Sequence, residues 1–474
     1  MKATINNAQL IGESGLFQVT LNGDRIDSIT PSPNKIIESG NSQIIDAQGG
    51  VLLPGLRDHH CHLMSSAAAR QSVDLSSTPD IGELIAALRG HNTESSKQWL
   101  RVINYHPALA GDIDRAFLDR YCPNAPVRVQ HRGGRLWYLN GAGLEALELA
   151  PTNAPAGAEL KDGQLTGRLY ELDDWISKQL TQVAPTLEQL SADLASKGVT
   201  EITDTTPRNG ASEYEYFAQQ QREGLLRQNL RMMGSLSLAE GKVDPIANAR
   251  IQFGEYKIHL LESQLPDIEM TAENIRAARA QGRNIAVHCV TLVELVYILG
   301  ALELAGGGIR GDRIEHGSII PNELLKSLTA NQLGVVTQPH FVHSRGDQYL
   351  DEVEQQDQPF LYRLQGLIGA NIPLAAGSDA PFGHHDPWLG MRSAINRKTA
   401  TSRSLGSSEA LTATQALALY TGALDRPFTG TLKPAPGEPA NLCLLDRPWE
   451  DAKHRLLAED VRATWINGQL AFLQ

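Results

Sequence analysis

Short apolar runs that end in polar or ionisable residues recur along this chain, spaced by about one helix each. Gly198–Asp204, Asn229–Met233, Tyr256–Leu260, Asn284–His288, Arg313–His316, Gly334–Gln338 and Ile372–Gly377 all read as buried strands, and Val51–Leu56 adds an eighth. Between them, Thr271–Gln281, Leu292–Leu304 and Asn322–Ala330 carry helical spacing. A parallel sheet needs such crossover helices, and eight strands alternating with them predict an α/β fold, a (β/α)₈ barrel in preference to an open doubly wound sheet. The rhythm breaks between His62 and Gly198, a gap several times longer than a strand–helix unit.

The ends of the chain have a different texture. Ala3–Ile5, Phe17–Leu21 and Arg25–Ile29 read as strands, the last two joined at Asn22-Gly23, and Ala440–Asp446 and Ala463–Gln469 mirror them. The expected organisation is a small β-sandwich built from residues 1–50 and 430–474, around a barrel over 51–429. An insertion at about 66–190 is expected to cover the barrel's C-terminal mouth.

Composition narrows the partners. A net charge of −12 and a pI near 5.6 argue against nucleic acid or anionic lipid as a ligand. The N-terminal stretch lacks a signal-peptide core, and no apolar run is long enough for a membrane helix. Cys61, Cys122, Cys289 and Cys443 are scattered without pairing motifs, as in proteins of a reducing cytoplasm, the expected compartment.

The chemistry concentrates where barrel enzymes keep it, at the C-terminal ends of strands. His60 and His62, two apart, leave one strand together and can share a divalent cation. Lys257, His288 and His316 follow on or just after later strands, and Asp379 ends the last. One strand-end ionisable residue is ordinarily solvated or hydrogen-bonded; six in this register point to a metal site.

At these residues the chain resembles the amidohydrolase superfamily of metal-dependent hydrolases. The matching pieces are Pro54–His62, Lys257, Ala286–His288, Arg313–Gly317 and Gly377–Pro381, with Pro436–Leu442 and Trp465–Gly468 in the terminal β region. Arg132–Arg135 and Asn140–Leu144 in the insertion are similar to the branch containing N-substituted formamide deformylase. The resemblance implies a divalent metal, zinc the expected ion, one or two per chain. His60, His62 and Asp379 would hold the more buried metal, His288 and His316 a second, and Lys257, carboxylated by CO₂ to a carbamate, would bridge them. Water on such a metal ionises near neutral pH, and Asp379 would move its proton to the leaving amine.

The implied activity is hydrolysis of an amide-type C–N bond in a small molecule. The alternatives are a mononuclear-metal deaminase of a heterocyclic base and an ester or lactone hydrolase. Related deaminases carry a Glu three residues after the fifth-strand histidine; here Thr291 stands there and Glu294 follows one turn later. A catalytically dead scaffold would have lost ligands that this chain keeps. A homodimer is compatible with the resemblance.

Substrate contacts are expected from His340, which follows the seventh strand, and from Arg132 and His106 in the insertion. Arg345, His384 and His385 are further candidates. By strand alternation His59 should face away from His60 and His62, whereas Asp58 should share their face and support a ligand. Asn441, where the family usually has Asp, lies in the terminal β region, away from the chemistry.

Overall fold

The computed structural model describes every residue except Met1, 33–42, 77, 79, 93–97, 181–183 and 241–248. Its centre is a sheet of eight parallel strands running Leu56–Cys61, Val199–Asp204, Asn229–Gly234, Ile251–His259, Ile285–Cys289, Arg313–His316, Gly334–Thr337 and Leu374–Ala376. A bridge between Cys61 and Ala380 brings the last strand back to the first. The Asp379 amide donates to the His60 carbonyl at 2.7 Å, and the His62 amide to Ala380 at 2.9 Å. The expected barrel is present.

Helices lie against it by burying one stripe each. In Ile268–Ala280, residues Thr271, Ala272, Ile275 and Ala278 are buried, and Asp267 caps the first turn. Leu292–Leu304 starts with a Thr291–Glu294 capping box and buries Leu295, Ile298, Ala301 and Leu302 in the same core as Ile285, Val287 and Ile314. Burying each such aliphatic side chain contributes about 1.5–3 kcal/mol, which fixes the strand ends in place.

Ion pairs reinforce the strands. Arg57 and Glu201 join the first to the second at 2.5 Å, and Arg231 and Glu255 the third to the fourth at 3.1 Å. Arg313 and Glu315, both fully buried, pair within the sixth at 2.5 Å.

The boundary of the first barrel strand differs from the sequence reading. Leu52–Pro54, expected to lead into it, instead pairs antiparallel with Leu442–Leu445. Gly55 alone separates that strand from Leu56–Cys61. An apolar run gives no sign of which sheet it enters, and this one is divided between two. Leu442–Leu445, Val461–Ile466 and Gln469–Leu473 complete the C-terminal sheet, with a turn at Asn467-Gly468 where one strand was expected. Lys2–Ala8, Phe17–Asn22, Arg25–Pro31 and Gln43–Asp46 form the N-terminal sheet. Ile5, Val19, Leu21 and Ile26 from one and Leu442, Leu444 and Trp465 from the other share a single buried core. Asn441 accepts the Asn467 amide at 2.8 Å, a turn-fixing role.

A second compact unit spans Met64–Pro185. Its six-stranded sheet is parallel across Val73–Asp74, Leu100–Tyr105 and Val127–His131, and antiparallel through Leu136–Leu139, Gln164–Tyr170 and Ala158–Lys161. Asn140 caps the helix Gly141–Ala146 through the Gly143 amide and donates to the carbonyls of Cys122 and Ala125. All four cysteines are buried, and none is in a disulfide. Among the described residues, no helix is long and apolar enough to cross a membrane.

Candidate metal centre

Nε2 of His60 and Nε2 of His62 each stand 3.3 Å from Oδ1 of Asp379. Ligand atoms about 2.0–2.1 Å from a tetrahedral cation lie roughly 3.3–3.4 Å from each other, so the spacing suits a shared ion. Ligand atoms of His60, His316 and Asp379 all lie within 4.8 Å of one another. The rings form a continuous series: His62 to His60 at 5.5 Å between centroids, His60 to His316 at 4.7 Å, and His316 to His288 at 4.5 Å. His316 thus adjoins both of the groups into which the resemblance divides the ligands.

In His60, His62 and His316 the Nδ1 nitrogen is engaged elsewhere. Nδ1 of His60 bonds the Glu315 carboxylate, Nδ1 of His316 bonds Oε1 of Gln338 at 2.7 Å, and Nδ1 of His62 meets Oγ1 of Thr206 at 3.1 Å. With Nδ1–H donated to Glu315 and Gln338, the Nε2 lone pairs of His60 and His316 are left for a cation. Burial pushes His316 down to about 3 and His288 well below the usual imidazole value, so both are neutral at pH 7, the ligating form. For His60 burial acts downward, but Glu315 and Asp379 outweigh it and raise its pKa. Burial would raise Asp379, yet hydrogen bonds from His60 and His62 and the charge of His316 hold it well below the carboxylate range.

Lys257 is buried, and its Nζ finds no hydrogen-bond partner among the described residues. Burial, then Arg313, lowers its pKa against the pull of Glu315 and Asp379. A buried amine without an acceptor is costly as an ammonium ion, which disfavours a simple structural lysine.

The backbone is shaped for this assembly. His316 and Asp379 both adopt left-handed φ, at 67° and 51°, a conformation that costs about 1–3 kcal/mol in residues other than glycine. Gly377 lets the last strand approach the first: a Cβ there would lie 2.3 Å from the His60 nitrogen.

The structure also places the remaining candidates. The register slips between Asp58 and Cys61 opposite Ile202 and Asp204, and this bulge breaks the alternation on which the face assignments rested. Asp58 accepts the amides of Ser378 at 2.8 Å and His60 at 3.1 Å, so it ties the two ligand strands together through their backbones. The carboxylate on the ligand ring is Glu315. His59 is fully buried with neither ring nitrogen hydrogen-bonded among the described residues, and burial with the charges of Arg313 and Arg57 keeps it neutral.

His340, expected at the mouth, is 1% exposed and lies under the turn after the last strand, where a Cβ on Gly383 would come within 2.1 Å of its Nε2. His385 is paired with Asp193, and His384 stacks on it. His106 and Arg132 belong to the second unit; the His106 ring lies 6.1 Å from that of His131, and the Arg132 amide donates to Tyr105 at 2.8 Å. Sequence reasoning passed over Glu315, Gln338 and Thr206, and also His259, an exposed ring 4.7 Å from His288. The signal for Glu315 was present, since Arg313 and Glu315 are two apart on a strand and the carboxylate adjoins His316.

The amidohydrolase family model matches residues 43–472, nearly the whole length. The chain belongs to the amidohydrolase family. This amidohydrolase is 26% identical to the YtcJ protein of Bacillus subtilis (strain 168), covering 97% of this chain and 95% of that one. It is 24% identical to N-substituted formamide deformylase of Arthrobacter pascens, over 96% and 94%. An uncharacterized metal-dependent hydrolase from Pyrococcus horikoshii OT3 shares the fold, with a TM-score of 0.76 at 20% identity over 94% of this chain and 98% of that one. As a member of this family the chain is a metal-dependent hydrolase.

Proposed function

We propose that this amidohydrolase cleaves an amide-type C–N bond of a small molecule, and that N-substituted formamides, named in one relative, are within its range. The observation that carries the reading is the pair of 3.3 Å approaches of His60 and His62 to Asp379, with each Nδ1 engaged elsewhere. His60, His62, His316 and Asp379 would hold a divalent cation, zinc by the chemistry of the donor set, and His288 with Lys257 would hold a second. A bound cation supplies Lewis acidity, lowering the pKa of water and polarising a carbonyl.

The residues do the rest. Asp379, held ionised, takes a proton from the attacking water and returns it to the leaving nitrogen, so that an amine and an acid depart. Glu315 fixes the His60 ring and balances the charge of Arg313. Lys257, buried without a partner, favours the neutral amine, the form that reacts with CO₂ to give a carbamate. The deaminase alternative loses its acid: Glu294 accepts the amides of Val290 at 2.7 Å, Thr291 at 3.1 Å and Glu262 at 3.1 Å.

The test is metal content per chain of freshly purified protein, beside Lys257→Ala, followed by a screen of N-acyl and N-formyl amines. Two metals in the wild type, one or none in the variant, and release of amine support the reading. Metal content unaffected by the substitution removes Lys257 from the site, and release of ammonia from heterocyclic bases instead replaces the proposal with a deaminase.

A further inference from the structure

The turn after the last barrel strand carries Phe382, whose ring is 44% exposed and meets His62 edge-on with centroids 5.9 Å apart. An aromatic ring set edge-on against a candidate ligand histidine and open to solvent on its other side is placed to meet an apolar group bound there. The turn is rigidly held. The Phe382 amide donates to the Asp379 carbonyl at 2.8 Å, and its own carbonyl accepts from Nη2 of Arg345 at 2.7 Å.

Arg345 projects from the helix Phe341–Glu352, which follows the seventh strand. Its guanidinium carbon lies 4.1 Å from the centroid of the Phe341 ring, and the Tyr349 hydroxyl is a second hydrogen-bond neighbour. Stacking fixes the guanidinium plane, and these two partners use only part of its five donors. No carboxylate lies within ion-pair distance of Arg345 among the described residues. Asp379, the acid of this neighbourhood, is committed to His60 and His62. A half-buried, oriented cation without a counter-charge is a standing site for a planar oxyanion.

We propose that Arg345 and Phe382 select the substrate, Arg345 by binding a carboxylate and Phe382 by covering an apolar or aryl substituent beside the scissile amide. The substrate class is then a carboxylate-bearing amide with an apolar side group. This rests on the hydrolase reading of the site, and the experiment separates the two.

Calorimetry on the full-length protein with its metal would compare 3-phenylpropanoate with the neutral 3-phenylpropan-1-ol. The carboxylate should bind about ten- to a hundredfold more tightly, the scale of a hydrogen-bonded ion pair. Arg345→Met should erase that preference, Arg345→Lys should keep part of it, and Phe382→Ala should weaken both ligands alike. If Arg345→Met does not fold, a partial loss in Arg345→Lys supports the same conclusion. No preference in the wild type, or one that survives in both Arg345 variants because the metal reads the carboxylate, overturns the proposal. In turnover, Arg345→Met should raise KM for N-formylphenylalanine about tenfold more than KM for N-formylphenethylamine, and an equal rise for both amides would overturn the carboxylate role. If neither amide is hydrolysed while the calorimetric pattern holds, the hydrolase reading fails and the carboxylate site stands.

Discussion

Glu315 bonds Nδ1 of His60 with one carboxylate oxygen and Nε of Arg313 with the other, the latter at 2.5 Å. Burial alone would raise its pKa; Arg313, Lys257 and His60 together hold it far below the usual value. A carboxylate behind a ligand histidine fixes the ring and raises its basicity, so Glu315→Gln should weaken metal retention about 10–100-fold. Metal remaining after dialysis against graded chelator would measure this, and unchanged retention would make Glu315 a purely structural partner of Arg313.

Gly377→Ala should disturb the site from behind. Its new Cβ would meet the His60 nitrogen at 2.3 Å and the His60 Cβ at 2.5 Å, both in a packed interior. Such overpacking costs about 1–3 kcal/mol and should lower Tm together with metal content. Gly369→Ala, with nothing within 4 Å of its Cβ, serves as the silent control.

His340 gives the protein an acid sensitivity. Burial, with Arg345 and His384 adding to it, pushes its pKa down to about 3. An unfolded histidine titrates near 6.5, so between those values the unfolded chain holds the extra proton and stability falls as pH falls. His340→Gln should flatten the pH dependence of metal-free protein by up to about 1.4 kcal/mol per pH unit between pH 6 and 4. Urea midpoints across that range provide the slope; parallel slopes would rule out a buried neutral His340.

The Arg57–Glu201 pair, with both side chains about nine-tenths buried, should behave as a unit. Arg57→Met alone leaves Glu201 uncompensated and should cost about 3–5 kcal/mol, whereas Arg57→Met with Glu201→Met should recover much of it. Denaturant unfolding of the two singles and the double closes the cycle, and strict additivity would mean the pair is not coupled.

The strands were legible because a buried parallel strand is a compact apolar run with a turn beyond it. The strand-end residues His60, His62, His316 and Asp379 were legible for the same reason, as polar residues where the run stops. What escaped depends on register. The bulge between Asp58 and Cys61 leaves no mark in composition, so the register of that stretch could not be read from alternation alone. Leu52–Pro54 and Leu56–Cys61 look like one run until their partners are known. Glu315, Gln338 and Thr206 act through contacts with residues distant in sequence, which no local pattern encodes.

Because a single glycine joins Leu52–Pro54 to the strand of His60, the metal-site strand is clamped by the tail of the chain. The stretch from Leu52 to His62 pairs with segments around residues 200, 380 and 443, so its surroundings are complete only after nearly all of the protein has left the ribosome. Contacts this far apart in sequence are slow to form. The metal site is therefore a late product of synthesis, and truncation at the C-terminal sheet should be felt at His60 before the rest of the barrel loses its order.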